Sequence, residues 1–414
     1  MVAVHLNLRQ VVFALADALD LVGIASLEHG KRVAYLADSC GKLLGFTQPL
    51  LDTLFNAALL HDCGVSSASA HNHILSKMEW PGAQTHCLAG ATLLQSFAPL
   101  QPLSEIILHH HTRWEHLSAE TLSPHTRLMS NLIFLVDRVD ALTIFYQHQN
   151  VLVSKTAIRK VISGLDSRLF APRLIEVFMA ASAQDAFWLG LEQRHLWRYL
   201  TKLERTQQNL SLNMAELRQL GMIFASIVDT KSAYTLEHSQ GVARLARLLA
   251  EKQGLSAAVC EKIEVAGLLH DLGKLKVPDA ILEKPGPLTL EERAIIHHHS
   301  FETYQILQRI EGLEDIAIWA GSHHESPNGS GYPFGLREAE VGLEARIIGV
   351  ADVFQALAQK RPYRAPLTPQ QILETLAALA EEGRLDGAVV KLVGQNLEHC
   401  WQVATSSQPC AVLA

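Results

Sequence analysis

The stretch "AGLLHDLGKLKVP", residues 266–278, places a His-Asp pair directly after an apolar run, and "AALLHDCGVSSAS", residues 57–69, does the same. His61-Asp62 and His270-Asp271 are 209 residues apart, and other segments keep nearly the same distance. "SLEHGKRVA" around His29 matches "TLEHSQGVA" around His238, again 209 apart. "THCLAGATLLQ" with His86 matches "HHSFETYQILQ" with His299, and "LHHHTRWE" with His110 and His111 matches "SHHESPNG" with His323 and His324, both at 213. "FLVDRVDAL" with Asp137 matches "GVADVFQAL" with Asp352 at 215. Distances that drift only by small insertions mean one ancestral domain present twice.

The 414 residues suffice for two or three domains with cores of their own. Hydrophobic residues make up 48% and aromatics 6%, with Leu and Ala dominant, which predicts helices packed on helices. The expected fold is all-α: two helical bundles in tandem joined by a long helix. A formal net charge of -7 and a pI near 6.3 argue against a general DNA or anionic-membrane binder, so an anionic substrate has to meet local positive charge or metal. The opening "MVAVHLNLRQVVFALADALD" predicts an amphipathic helix rather than a signal peptide, because polar residues interrupt its apolar run. No segment approaches the roughly 18 uncharged apolar residues that span a bilayer. Cysteines 40, 63, 87, 260, 400 and 410 form no CxxC, so neither a disulfide framework nor a structural zinc finger is expected, and the reading is cytoplasmic.

Four segments follow: a first domain over 1–190, a connector over 191–220, a second domain over 221–405 and a tail over 406–414. In the connector, Leu196, Leu200, Leu203, Gln207, Leu210, Met214 and Leu217 alternate steps of four and three. That spacing fits either a seam for a homodimer or signalling helix, or an ordinary helix packed on a flanking domain.

Histidine is costly in an apolar core unless paired or metal-bound, and there are 21 of them here. His238, His270, Asp271, His299, His323, His324 and Asp352 fall in separate helical segments. Neutral imidazole with carboxylate suits Fe, Mn, Zn or Ni. Seven donors exceed what one octahedral ion with open positions needs, so two ions sharing a bridging hydroxide, with Asp271 between them, is the natural count.

"HDLGKLKVPDAILEKPGPLTLEE", "HHESPNGSGYP" and "ADVFQALAQKRPYR" together resemble the HD-GYP family of metal-dependent phosphohydrolases over about 224–394. The resemblance implies a helical bundle around a binuclear site, often iron or manganese. It also implies hydrolysis of cyclic dinucleotides, chiefly cyclic di-GMP, to linear pGpG or GMP. The seven residues above match the family's metal ligands. Lys274 matches the lysine that meets the phosphate and the metal-bound hydroxide, which with Asp271 makes the catalytic pair. Gly331, Tyr332 and Pro333 match the loop that shapes the substrate pocket, and Arg361 and Arg364 match basic substrate contacts. Tyr234 stands where some members carry a Glu that recruits a third metal, and Glu237 is out of phase, so two metals are expected. Asn328, Ser300, Thr303 and Ser326-Pro327 depart from the family pattern near the pocket.

The first copy keeps every ligand position: His29, His61, Asp62, His86, His110, His111 and Asp137. Val65 replaces Lys274, no loop corresponds to residues 331–333, and Tyr146 and Gln149 replace the two arginines, which removes the expected phosphate-facing charge. Three readings stand for it: a metal-loaded structural or regulatory domain, a hydrolase for another substrate, or a ligand set drifting toward loss. For the whole chain the expected activity is a cyclic di-GMP phosphodiesterase. The alternatives are a non-catalytic cyclic-dinucleotide receptor and an HD hydrolase of another nucleotide, such as cyclic GMP-AMP.

Overall fold

A computed structural model describes residues 3–22, 28–65, 79, 82–206, 208–229, 237–359 and 365–406. Apart from one two-stranded sheet, the described elements are helical. The chain divides into two compact units, Leu8–Gln208 and Met1–Asn7 together with Asn209–Ala414.

In the first unit the helices His29–Leu43 and Gln48–Leu59 pack together, with Pro124–Phe145 against the former. Ala83–Gln95 and Gln101–Leu108 form a second pair. In the second unit His238–Lys252 packs between Ala257–Leu269 and Leu343–Ala358, and Leu290–Leu307 lies on Glu314–Gly321. Local chemistry sets several starts. Ser123 and Ser256 accept N–H bonds from Thr126 and Val259, and Thr289 with Glu292 closes a reciprocal capping box. Among the described residues no helix is long and apolar enough to cross a membrane.

Two sequence expectations change. The amphipathic helix expected from the first residue begins only at Leu8; Val4–Asn7 is a strand, with Val4 and Leu6 buried and His5 exposed. The connector is not one long helix. It is helical over Gln193–Glu204, extended over Asn209–Leu212, and helical again from Met214. The strand Asn209–Leu212 pairs antiparallel with Val4–Asn7, Val4 opposite Leu212 and Asn7 opposite Asn209. Edge pairing with a distant strand satisfies backbone groups that a polar, poorly helical stretch leaves weakly held. The leucine seam is thereby cut: Leu196 and Leu200 are buried in the first unit and Leu217 in the second, so a paired-helix dimer along it loses its premise.

Candidate metal centres

The two copies place their candidate donors on matching elements. His238 and His29 open the helices His238–Lys252 and His29–Leu43. The pairs His270-Asp271 and His61-Asp62 follow the ends of Ala257–Leu269 and Gln48–Leu59. His299 and His86 lie inside Leu290–Leu307 and Ala83–Gln95, while His323-His324 and His110-His111 follow Glu314–Gly321 and Gln101–Leu108. Asp352 and Asp137 sit within Leu343–Ala358 and Pro124–Phe145.

Helix ends do more than deliver these side chains. The last carbonyls of a helix lack intrahelical donors. His270 Nδ1–H donates to the Gly267 carbonyl at 2.7 Å and His323 to Ala320 at 2.7 Å; His61 donates to Ala58 at 2.8 Å and His110 to Ile107 at 2.6 Å. His299 does the same within its helix, to Ile296 at 2.6 Å. Each bond fixes the tautomer and turns an Nε2 lone pair toward the cluster, the orienting role that outer hydrogen bonds play in metal sites. A tight approach supports the His-Asp turn in both copies. A Cβ at Gly273 or Gly64 would lie 2.1 Å from the carbonyl oxygen of His299 or His86.

In the second unit, donor atoms of three overlapping sets each converge within 4.8 Å: His299, His323 and His324; His238, His270 and Asp352; and His270, Asp271 and His323. The Nε2 atoms of His299 and His323 face each other at 3.4 Å although both rings donate through Nδ1. Facing lone pairs repel unless a cation lies between them. His270 Nε2 and Asp271 Oδ1 are buried with no hydrogen-bond partner, which is the mark of a group waiting for a ligand. This donor set fits a divalent transition metal.

The electrostatics agree. Burial disfavours the anion of Asp271, yet His270 and Lys274 beside it hold it well below the usual carboxylate range. Burial likewise opposes a charge on His270, but Asp271 and Asp352 outweigh it and raise the imidazole to about 10. Carboxylates that hold a proton there can hold a metal cation in its stead. Burial, aided by the charge of His324, pushes His299 down to about 3, and chiefly burial brings His324 down to about 4, so both are neutral donors. Lys274 Nζ donates to Asp271 Oδ2 at 2.5 Å.

The loop expected to shape the pocket lies beside this set. Gly331 admits no side chain, since a Cβ would sit 2.3 Å from the Ser326 nitrogen and 2.6 Å from the His324 carbonyl. Tyr332 follows, before a cis Tyr332-Pro333 bond, and its N–H donates to the same His324 carbonyl at 3.2 Å. Its ring stacks on His297 at 3.8 Å and 7° and contacts His324 at 4.8 Å. Two contributors escaped the sequence reading. His297 is one. Glu325 is the other: buried, it accepts the N–H groups of Phe334, Gly335 and Leu336 at 2.7, 3.2 and 2.9 Å and pins the loop. The first copy has Thr112 at that position. Thr303, a departure from the family pattern, ties the His-Asp turn to its helix, donating to the His270 carbonyl and accepting from Gly273 N–H. Arg361, Arg364 and Tyr234 lie outside the described residues.

In the first unit the donors fall into two adjoining sets with no residue in common, Asp62, His86, His110 and His111, and His29, His61 and Asp137; His61 Nε2 lies 3.5 Å from Asp62 Oδ2 and His111 Nε2 3.9 Å from Asp137 Oδ2. His86 and His110 bring their Nε2 atoms to 3.2 Å, and His61 Nε2, His111 Nε2 and Asp137 Oδ1 are buried without hydrogen-bond partners. This set too has the chemistry of a metal site. The expectation that positive charge is gone from this copy is incomplete. Arg138, 3% exposed, donates to Asp137 Oδ2 at 2.6 Å, and its counterpart in the second copy is Val353. His29 Nδ1 is held by Asp140 at 2.7 Å, and Asp140 also receives Arg32 at 2.6 and 2.9 Å. The second copy has Gln355 and Gly241 there, and a Cβ on Gly241 would lie 2.3 Å from the Gln355 amide. An ordinary charge in a helical pattern carries no mark of such a role, which is why Arg138 and Asp140 passed unnoticed.

Helical bundles with a His-Asp pair at a helix end and further histidines converging on it define the HD class of metal-dependent phosphohydrolases. The HD domain family matches residues 222–389 and, separately, residues 26–143. The chain is 35% identical over 410 residues to the 3'3'-cGAMP-specific phosphodiesterase 1 of Vibrio cholerae serotype O1, covering 98% of this chain and 95% of that protein. It is also 35% identical over 226 residues to the cyclic di-GMP phosphodiesterase response regulator RpfG of Xanthomonas campestris, covering 53% of this chain and 56% of that one. Among solved structures it resembles the cyclic GMP-AMP specific phosphodiesterase V-cGAP3 of V. cholerae, with a TM-score of 0.65 and 26% identity over 95% of this chain and 98% of that one. The chain belongs to the HD-domain phosphodiesterase family, with one HD domain in each half.

Proposed function

We propose that this protein opens a phosphodiester bond of 3'3'-cyclic GMP-AMP at the cluster of its second unit, giving a linear dinucleotide. The observation that carries the choice of substrate is the extent of the match. The cGAMP-specific relative aligns with both HD domains end to end, whereas the cyclic di-GMP relative aligns with about half of this chain. Cyclic di-GMP is the second reading, favoured by the equal identity within that half and by the complete Gly331-Tyr332-Pro333 loop.

His238, His270 and Asp352 on one side and His299, His323 and His324 on the other, with Asp271 between, are the residues that would hold divalent metal, iron or manganese. Metal bound there supplies Lewis acidity, acidifying water at neutral pH and neutralising charge on phosphoryl oxygens. The Nδ1 bonds to backbone carbonyls keep the Nε2 atoms aimed at the cluster, where metal would take the place of the proton that Asp271 and Asp352 hold on His270, so little reorganisation remains when substrate binds. Lys274, 24% exposed beside Asp271, is placed to set a positive charge against the reacting phosphate. Tyr332, stacked on His297 and beside His324, sets an aromatic side chain next to the cluster for contact with a nucleobase, and Glu325 fixes the loop that carries it. Arg361 and Arg364 are assigned to the outer phosphate and base by their position after Asp352 in the sequence.

Full-length protein loaded with Mn²⁺ is incubated separately with 3'3'-cGAMP and cyclic di-GMP, and linear products are resolved by chromatography beside an Asp271→Ala control. We expect kcat/KM for cGAMP to exceed that for cyclic di-GMP by at least tenfold, and product to depend on Asp271. Faster turnover of cyclic di-GMP overturns the substrate assignment. Tight binding of either without product overturns the enzyme assignment in favour of a receptor.

A further inference from the structure

We propose that the cluster of the first unit is a one-ion site: Asp62, His86, His110 and His111 take a single divalent cation, and the guanidinium of Arg138 stands on Asp137 where a second ion would otherwise bind.

The donors group differently in the two units. In the second unit the converging sets overlap, His270 and His323 each belonging to two of them, so ions placed there share ligands and lie in one continuous pocket of donors. In the first unit the sets share no residue. One is a complete tetrad of three imidazoles and a carboxylate, the count that closes a four-coordinate site. The other is a triad whose sole carboxylate, Asp137, already receives a buried guanidinium at 2.6 Å.

Arg138 cannot leave its charge behind, because a guanidinium stays protonated in proteins. At 3% exposure it has no solvent to retreat into. A dication at Asp137 Oδ1 would therefore meet a fixed like charge on the same carboxylate in a poorly screened interior, which offsets much of the attraction of Asp137. Lys274 in the second unit differs in both respects. It sits on Asp271 rather than on the terminal Asp352, and at 24% exposure its flexible stem can move aside. The tetrad has its own aspartate, and the inward-turned Nε2 of His110 faces that of His86 at 3.2 Å. A single ion stabilises the fold there but cannot form the two-ion clamp on attacking and leaving oxygens that phosphodiester cleavage uses. The difference in ion number thus accounts for a retained ligand set without the substrate loop.

The test counts ions and does not depend on the proposed substrate. Full-length chain carrying His270→Ala and His299→Ala, to disable the second cluster, is loaded with Mn²⁺, desalted and measured by plasma mass spectrometry. The expected content is about one Mn²⁺ per chain. Adding His110→Ala should bring it near zero and abolish the rise in Tm on Mn²⁺ addition. Adding Arg138→Met should raise it toward two, while Arg138→Lys, which keeps the charge, should leave it at one; circular dichroism confirms that each variant is folded, and Arg138→Gln replaces the Met variant if that one is not. A content near zero or near two in the parent overturns the proposal. So does retention of the ion after His110→Ala, or a folded Arg138→Met or Arg138→Gln chain that still holds only one.

Discussion

The two halves of this protein carry the same seven donors on the same elements and differ in what surrounds them. Histidines at helix ends donate to stranded carbonyls in both, and a glycine lets the His-Asp turn press against the opposing helix in both. The second half adds Lys274 on the central aspartate, and Glu325 holding the loop that carries Tyr332. The first half instead buries Arg138 on Asp137 and an Asp140–Arg32 pair behind His29. Gathering candidate donors is a property of the bundle, whereas the proposed substrate contacts are a few residues outside the donor set. The two can therefore separate after duplication.

The largest effect that would break this contrast lies in the aspartates. Asp271→Ala should lower kcat for the cyclic dinucleotide by more than about 10³-fold, since it removes the donor between two sets. Asp62→Ala at the matching position should leave kcat within about threefold. Equal losses from the two, in folded protein, would mean that the halves work as one catalytic unit. Next comes Lys274→Ala, expected to cost roughly 10²-fold in kcat, the usual scale for removing one preorganised charge at a developing oxyanion. A rise in KM alone would place the lysine in ground-state binding instead.

Glu325 sharpens the contrast at a smaller scale. Glu325→Gln keeps the volume but halves the acceptor capacity for three backbone N–H groups. Loss of charge-assisted bonds, about 1.5–3 kcal/mol each at most, should loosen the loop and raise KM by roughly tenfold with little change in kcat. If kcat falls instead, the loop is positioning the reacting phosphate as well as the base.

How much of this was readable beforehand follows physical lines. The His and Asp positions, the doubling and the helical class are local patterns, and residue type and spacing suffice for them. The strand Val4–Asn7 is not local: its partner lies some two hundred residues away, and its alternation over four residues is indistinguishable from the start of the helix that follows. The leucine seam misled for the complementary reason. Its heptad steps persist through Leu210 while the backbone turns extended to pair with that strand, a case of tertiary context overriding pattern. Glu325 was visible as part of "HHE", but the three N–H groups that give it meaning become neighbours only when the loop folds back. Arg138 carries no mark in the sequence, because the same charge on an exposed helical face means nothing; only its burial makes it a cation beside the donors.

The smallest effect on turnover is expected from Asp140→Asn, and it isolates the first half most cleanly. Asp140 is fully buried, accepts from Arg32 at 2.6 and 2.9 Å and pairs with His29 at 2.7 Å. Removing its charge leaves the Arg32 guanidinium facing a neutral amide, and breaking one side of a buried pair typically costs about 3–5 kcal/mol. That loss belongs to the first unit, where hydrogen exchange should speed in peptides covering residues 29–43 and 124–145 and stay unchanged in 257–269 and 343–358. The second copy does without this pair, keeping His238 beside the Gln359 amide oxygen at 3.2 Å, so its candidate donors converge without a carboxylate behind the first histidine. Turnover should therefore stay within about twofold. A large drop in kcat, with exchange in the second unit unaltered, would show that the first cluster governs the second through something other than folding.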